Sequence, residues 1–525
     1  MKKILFLIHK KSESSFQACV ESINTLKKDP RYEINQMCWS DPDGKFQVSD
    51  IYYSICKDEN PDFTIIIEDT ILFIDEYILF QIMNIFSSDN SVGVIGVKGV
   101  KELSPSGIVD EAGILYGGYY SLDSKGNILE RIYNNTQYKY IEVEAVSAMM
   151  LAVRGSLPIW PRVNTRCFGE IISIAAALQG LKVVVPKDAQ NWCLNTSIEE
   201  LPNQSERAFI KRKLDLKRYL LNTDHILLTV GIPTYNRSKY FKKCIANLYK
   251  LVGNMPWVEV FVSDNDSTDD TEEIAKQYLK YDNFRYYKQP VNIVGKNFDY
   301  LYENASGEYV VACGDDDYYY NGVIYNILEA ICFGNKPTVM NLMWSSQEMD
   351  FHVKYGNSLD NFLVDCTELF TCISCIILNH ERYLLIKDKE KFTHTNLNQI
   401  YVQMEMIRNN PEYAIIYGNN FADGSGEAAS DRIFESRYPY CQIFIKEQYE
   451  VIDYFLDKGL SREAYEAEKI KNLKKNLRWL YDIKSAGNKC QWRIDDDLEE
   501  IIEKYYSYEP YYEDLRQEIR KILSE

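Results

Sequence analysis

No apolar run in this sequence approaches the roughly 20 residues needed to cross a bilayer, so no integral membrane segment is expected. Positive charge is scarce as well: 59 Lys and Arg stand against 77 Asp and Glu, a formal net charge of −18. That balance argues against general nucleic-acid binding and against attraction to an anionic membrane. No secretory leader is expected either. The opening "MKKILFLIHKK" has only a short apolar run before His9-Lys10-Lys11 and no small-residue cleavage site, so it reads as a first strand of a cytoplasmic protein. The 13 cysteines lack the spacing of a disulfide framework, and free thiols are expected. Cys372 and Cys375 form one C-x-x-C. With no second pair for zinc and no helix start to lower a thiol pKa, they read as buried structural residues.

What is present is length and aromatic content. A chain of 525 residues exceeds a single hydrophobic core, so two or three domains are expected. Aromatics make up 13% and include 41 Tyr, an excess that suits sugar-stacking surfaces but also follows from an AT-rich coding bias. From residue 1 to about 215, strand-like runs ("KKILFLI", "DFTIIIEDTILF", "VGVIGVKG", "EAVSAMMLAV", "LKVVVP") alternate with helix-like ones ("SFQACVESINTLKK", "GEIISIAAALQG"). A charged connector, "SERAFIKRKLDLKRYL", reads as a helix leading into a second alternating segment that ends near residue 428. Such alternation implies mostly parallel sheets with covered faces, and ligands then bind outside the carboxyl ends of the strands. Residues 429–525 read as charged, Tyr-rich helices whose charges form a solvated face. The expected domains are therefore 1–215, 216–428 and 429–525.

Three polar clusters follow three strands of the second segment: "PTYNR" (233–237), "SDNDSTDDT" (263–271) and "GDDD" (314–317). The middle one alternates acids like a calcium loop, but Asp269 stands where that loop needs Gly and Ala275 where it needs a bidentate Glu. Thr268 reads as the N-cap of the helix that follows. Three adjacent carboxylates, Asp315 to Asp317, repel one another, which a solvated turn tolerates and a cation site requires.

Taken together, these clusters, with Asn292, Gly295 and Asn297 in "NIVGKN" and Gly307-Glu308-Tyr309 ahead of the acids, resemble the nucleotide-sugar half of family 2 glycosyltransferases of the GT-A fold. The resemblance implies an α/β chain with two GT-A-like, Rossmann-like domains and a C-terminal helical region. It implies a nucleotide-sugar donor, a UDP-sugar first among them, and Mn²⁺ or Mg²⁺ held by Asp317 and Asp315. Donor contacts carried over in this way are Pro233, Thr234, Tyr235, Arg237, Asp264, Asp266, Asn292, Lys296 and Asp316. A hard divalent cation relieves the charge of a departing diphosphate and needs only one or two protein carboxylates.

The likeness weakens where the family carries its base. "CISCIILNHERY" resembles the acceptor-side strand, but no acidic pair follows; His394 falls near the expected place, with Glu381, Asp360, Asp365 and Glu405 as alternatives. The first segment resembles the family more faintly. Glu68-Asp69-Thr70 replaces the metal-binding acids, Glu170 remains of the base pair with Ile171 beside it, and no "PTYN" equivalent follows the first strand. A degenerate first domain is expected, kept for acceptor binding or architecture. The expected activity is inverting transfer to a protein hydroxyl (flagellin or adhesin type) or a surface glycan, with a homodimer through the C-terminal helices. The alternatives are a bifunctional glycan polymerase and a sugar-binding scaffold. A nucleotidyltransferase would need a glycine-rich basic loop that "PTYNRSKY" does not offer.

Overall fold

The computed structural model of the chain describes residues 1–41, 47–197, 201–343, 351–418, 420–422 and 437–524. They form two compact units, Met1–Asp224 with Tyr249–Met255, and His225–Leu248 with Pro256–Glu525. Among the described residues no helix is long and apolar enough to cross a membrane. All 13 cysteines are free thiols, and Cys375 is fully buried.

The first unit is built on a seven-stranded sheet. In chain order its strands are β1 (Lys2–His9), β2 (Tyr32–Trp39), β3 (Phe63–Glu68), β4 (Val92–Gly96), β5 (Tyr140–Val143), β6 (Met150–Arg154) and β7 (Lys182–Pro186). In space they run β2-β1-β3-β6-β4-β7-β5. β1 is parallel to β2 and β3, β6 is antiparallel to β3 and β4, β7 is parallel to β4, and β5 closes the sheet antiparallel. Continuous apolar runs such as "FTIII" and "VGVIG" are buried throughout, as a sheet covered on both faces demands. A second, six-stranded sheet is built around Leu115–Leu122.

The second unit repeats that plan. Its strands are β8 (Leu228–Thr234), β9 (Val258–Asp264), β10 (Phe284–Lys288), β11 (Tyr309–Ala312), β12 (Val339–Leu342), β13 (His352–Gly356), β14 (Ile376–Asn379) and β15 (Tyr413–Tyr417). They run β10-β9-β8-β11-β14-β12-β15-β13. With the outer strand β10 set aside, the remaining seven have the chain order, spatial order and pairing directions of the first unit. One topology therefore occurs twice, which supports the reading of two related modules.

Four expectations need correction. The sheets are mixed rather than mostly parallel, because β6 and β14 each run against both neighbours. This reversal matters for the site: an antiparallel strand begins beside the carboxyl end of its neighbour, so the loop before β14 reaches the end of β11. The run "DFTIIIEDTILF" is two strands, broken at Asp69-Thr70 because Asp69 turns inward to accept hydrogen bonds. Thr268 is not the N-cap of the helix Thr271–Lys276; that place is taken by Asp270, while the Thr268 N–H and hydroxyl are drawn to Asn236 Oδ1. Finally, the C-terminal helices are more than a solvated appendage. Leu480, Ile501, Ile519 and Ile522 belong to the same buried core as Phe261 and Val310 of the sheet.

Candidate active site

The site is assembled at the carboxyl ends of β8, β9 and β11. β8 ends in Pro233-Thr234, both buried, and Tyr235 beyond them is 44% exposed. Asn236 then adopts a left-handed φ of 52°, which turns Arg237 back over the strand ends. This turn is zipped to the next loop: the Asn236 N–H donates to Ser267 Oγ (2.9 Å), and the Ser238 N–H to Asp269 Oδ2 (2.8 Å). Much of the acidic cluster thus does structural service. Asp264, fully buried at the end of β9, accepts from the Ser267 N–H (2.8 Å) and the Tyr286 hydroxyl (2.6 Å). Asp266 supplies a second left-handed turn at φ 68°.

The "NIVGKN" segment closes one side. Asn292 accepts from Asn265 Nδ2 (2.8 Å) and from the Val294 N–H (2.8 Å), and Asn297 is tied to Ser263. Lys296 points to the surface, where it pairs with Glu390 at 3.1 Å. Nothing in that pairing aims it at a phosphate.

The acid turn answers how three carboxylates share one place. Asp315 is 3% exposed; its Oδ2 accepts from Thr234 Oγ1 (2.8 Å) and its Oδ1 faces Arg237 Nη1 (2.9 Å). The same guanidinium donates to Asp316. Arg237 is therefore the cation that neutralises the first two acids. Burial nevertheless pushes the Asp315 carboxyl up to about 6, against the pull of Arg237 and Thr234. Asp317 is held differently: its Oδ2 accepts from Ser374 Oγ at 2.5 Å, and its N–H closes the turn onto Gly314 O. The Gly314 N–H also donates to Ser374 Oγ (2.8 Å). A Cβ at position 314 would lie 2.7 Å from Asp317 Oδ2, so this turn admits only glycine without moving the acid.

Sequence reasoning missed Ser374. It sits between Cys372 and Cys375, in the loop that the antiparallel β14 brings to the end of β11, and no motif marks it. A second omission is Glu368. With Asp316 and Asp317 it lines a cavity of about 790 Å³ whose opposite wall comes from the helix Arg462–Ala486. The candidate bases named from the sequence do not line this cavity. His394 is exposed and bonded to Glu450 (2.7 Å); Asp360 accepts from the Ser461 N–H, Asp365 from the Tyr413 hydroxyl, and Glu405 pairs with Arg408, while Glu381 is a surface residue. Among the described residues no three His, Cys, Asp or Glu side chains converge into a complete metal cage.

In the first unit the equivalent strand end is occupied otherwise. Asp69 Oδ2 accepts the N–H groups of Lys11 (2.7 Å) and Ser12 (2.9 Å), fixing the loop after β1. Partial burial raises the Glu68 pKa, but the Lys11 ammonium at 2.8 Å and the His9 ring at 3.8 Å prevail and take it down to about 2. Glu68, Ser147, Arg166 and Glu170 line a cavity of only about 80 Å³. Burial pushes Glu170 up to about 7, and its Oε2 has no partner among the described residues.

Residues 229–384 match the family model described as "Glycosyl transferase family 2", and residues 5–219 match one described as "Glycosyltransferase like family". An uncharacterized glycosyltransferase of Mycoplasma genitalium is 33% identical over 96 residues, 18% of this chain and 32% of that protein. The abequosyltransferase RfbV of Salmonella typhimurium is 25% identical over 206 residues, 35% of this chain and 61% of the relative. A GalNAc(5)-diNAcBac-PP-undecaprenol beta-1,3-glucosyltransferase of Campylobacter jejuni is 33% identical over 122 residues, 21% of this chain and 37% of the relative. The chain spans about a third of the length of the first curated relatives it matches. Among solved structures, residues 1–349 of S. aureus TarS give a TM-score of 0.34 at 15% identity, covering 57% of this chain and 90% of that one. A mannosyltransferase from Pyrobaculum calidifontis, solved with GDP-Man and Mn²⁺, gives 0.32 at 12% identity, covering 59% and 92%. Residues 229–384 are thus similar to glycosyl transferase family 2 and residues 5–219 to a glycosyltransferase-like family, and the two stretches share one sheet plan.

Proposed function

We propose that the second unit transfers a sugar from a nucleotide-diphosphate donor, a UDP-sugar first among them, to an acceptor hydroxyl with inversion, using Mg²⁺ or Mn²⁺. The observation that carries this reading is the acid turn after β11: tied through Asp315 to Thr234 and Arg237, it opens through Asp316 and Asp317 onto a cavity of about 790 Å³. That volume suits a sugar nucleotide with its acceptor. Asp317, on the cavity, offers the hard anionic oxygens that Mg²⁺ and Mn²⁺ prefer, whereas both oxygens of the buried Asp315 are engaged by Thr234 and Arg237; such ions complete their shell with phosphate and water. When bound, the cation would supply Lewis-acid neutralisation of the departing diphosphate. Pro233 and Tyr235 wall the base, and Asp264, Asp266 and Asn292 hold the loops that frame it. Arg237 keeps Asp315 and Asp316 from repelling one another.

The acceptor base in this reading is Glu368, which shares the cavity with Asp317, in place of His394. Its role would be to take the proton as the acceptor oxygen attacks C1 from the face opposite the leaving group. A surface-glycan acceptor is favoured over a protein, because one relative named above is a GalNAc(5)-diNAcBac-PP-undecaprenol glucosyltransferase. The catalytic domain is placed at 216–428 and the helical region at 429–525, in a cytoplasmic enzyme. Residues 1–215 are read as a degenerate module, since a cavity of about 80 Å³ is too small for a sugar nucleotide. A homodimer would have to use the polar faces of the C-terminal helices, whose apolar faces are buried in their own unit. A screen of nucleotide sugars for metal-dependent hydrolysis tests the reading; turnover independent of added metal, with chelator present, would refute it.

A further inference from the structure

The cavity that Asp316 and Asp317 open onto has a wall that the transfer chemistry just described does not use. Lys471, Lys474, Lys475 and Arg478 all line it from the helix Arg462–Ala486. Their spacing of i, i+3, i+4 and i+7 puts four cations on one helix face. The stripe spans seven residues, about 10 Å along the axis. Lys471 is partly committed, donating to Val364 O (2.9 Å), and Lys475 packs its ammonium 5.8 Å from the Phe444 ring. Lys474 and Arg478 are exposed and form no ion pair or hydrogen bond among the described residues. Glu368 and Asp482 bring two carboxylates to the same cavity; among the described residues neither forms an ion pair with these cations, although the Glu368 charge acts on Lys475. In a chain of net charge −18, four cations gathered on a cavity wall oppose the general field of the protein.

Beside the stripe lies an aromatic floor. Tyr440 sits 6.1 Å from Trp479 at an interplanar angle of 29°, and Phe444 meets Trp492 edge-on at 5.2 Å. All four rings line the same cavity. Aromatic faces are suited to the apolar face of a sugar ring, as large amphipathic contacts.

We infer that this wall is the acceptor subsite, and that it takes an acceptor whose sugar carries phosphate charge spread over about 10 Å, the length of the cationic stripe. The inference rests on the transferase reading for the word acceptor, but anion binding at the wall stands or falls separately. Burial holds the Lys475 ammonium below its ordinary pKa, so an arriving anion would also favour its charged form.

The test uses the full chain and inorganic tripolyphosphate as the probe, by titration calorimetry at low salt. The Lys474→Gln/Arg478→Gln variant should bind it at least about tenfold more weakly than wild type, a change of about 1.4 kcal/mol. A control with surface lysines away from the cavity, Lys280→Gln/Lys387→Gln, should bind as wild type does. Saturating UDP with Mg²⁺ should leave tripolyphosphate affinity within about twofold, because the donor diphosphate belongs at the acid turn. No binding by wild type, or equal binding by the double variant, overturns the anion site. Displacement by UDP assigns the stripe to the donor diphosphate and overturns the acceptor subsite. Failure of wild type to bind UDP at all would count against the proposed function and leave the anion site standing.

Discussion

The strand in the middle of each sheet ends in acids, Glu68-Asp69 in one unit and Asp315-Asp316-Asp317 in the other, and the two ends are wired in opposite ways. In the first unit Asp69 is spent on the backbone of the loop after β1, and lysine and histidine drive Glu68 down to about 2. In the second, the loop after β8 is fixed by Ser267 and Asp269 instead, which leaves the β11 acids to Thr234, Arg237 and Ser374. The cavities follow: about 80 Å³ in the first unit and about 790 Å³ in the second. Among the described residues the first unit has no counterpart of the outer strand β10 and the segment after it, which in the second unit frames the loops with Asn292. In the proposed reading, the fold is kept whole while its strand-end acids pass from chemistry to architecture.

The largest effect expected outside the acid turn is at Glu368. Glu368→Gln should lower transfer to acceptor by about 10²- to 10⁴-fold while nucleotide affinity is kept. Steady-state transfer and nucleotide titration together would separate this from a folding defect, and unchanged transfer would return the base to the search.

Next is Ser374→Ala, which removes the hydroxyl bridging the Gly314 N–H and Asp317. It should cost about 1–3 kcal/mol of stability by leaving buried groups unpaired, and reduce turnover by loosening Asp317. Ser147, which also precedes the antiparallel strand and lines the small cavity, offers the matched control: its buried hydroxyl has no partner among the described residues, so Ser147→Ala should not lower stability. Thermal unfolding of both variants checks the pair.

The smallest effect is in pH dependence, where the two acids should move stability in opposite senses. The Asp315 pKa is raised in the fold to about 6 from 3.8. The folded protein therefore holds that proton more tightly than the unfolded chain, so the contribution is full below about pH 4 and is lost as pH rises through 6. Glu68 is lowered to about 2 from 4.5, so its contribution is present above about pH 4.5 and is lost as pH falls towards 2. As pH rises, Asp315→Asn should gain stability relative to wild type between pH 4 and 6, and Glu68→Gln should lose it between pH 2 and 4.5 and stay less stable above. Unfolding curves across that range would show whether the slopes differ in sign.

Much of this was legible in the sequence because it depends on local pattern. Alternating apolar runs located the strands, and the clusters "PTYNR", "SDNDSTDDT" and "GDDD" fell at strand ends as read. What was not legible depends on who meets whom. Nothing in "CISC" says that its serine will hold the acid turn, since that follows from β14 running against β11. The charges of "KIKNLKKNLRWL" read as a solvated face, and only the packing of that helix places four of its cations on a cavity wall. Likewise the bonds that Asp264 accepts from the Ser267 N–H and the Tyr286 hydroxyl, and Asp69 from the Lys11 and Ser12 N–H groups, follow from packing rather than local pattern.

The central claim is that one of two equivalent strand ends has kept its chemistry. The direct measurement is metal-dependent hydrolysis of the preferred nucleotide sugar by Asp317→Ala and Asp69→Ala, each confirmed folded by circular dichroism. The account expects Asp317→Ala to lose at least about 10²-fold in turnover, the scale of removing a main electrostatic contact, and Asp69→Ala to stay near wild type. Hydrolysis that survives Asp317→Ala, or that collapses in a folded Asp69→Ala, would contradict it.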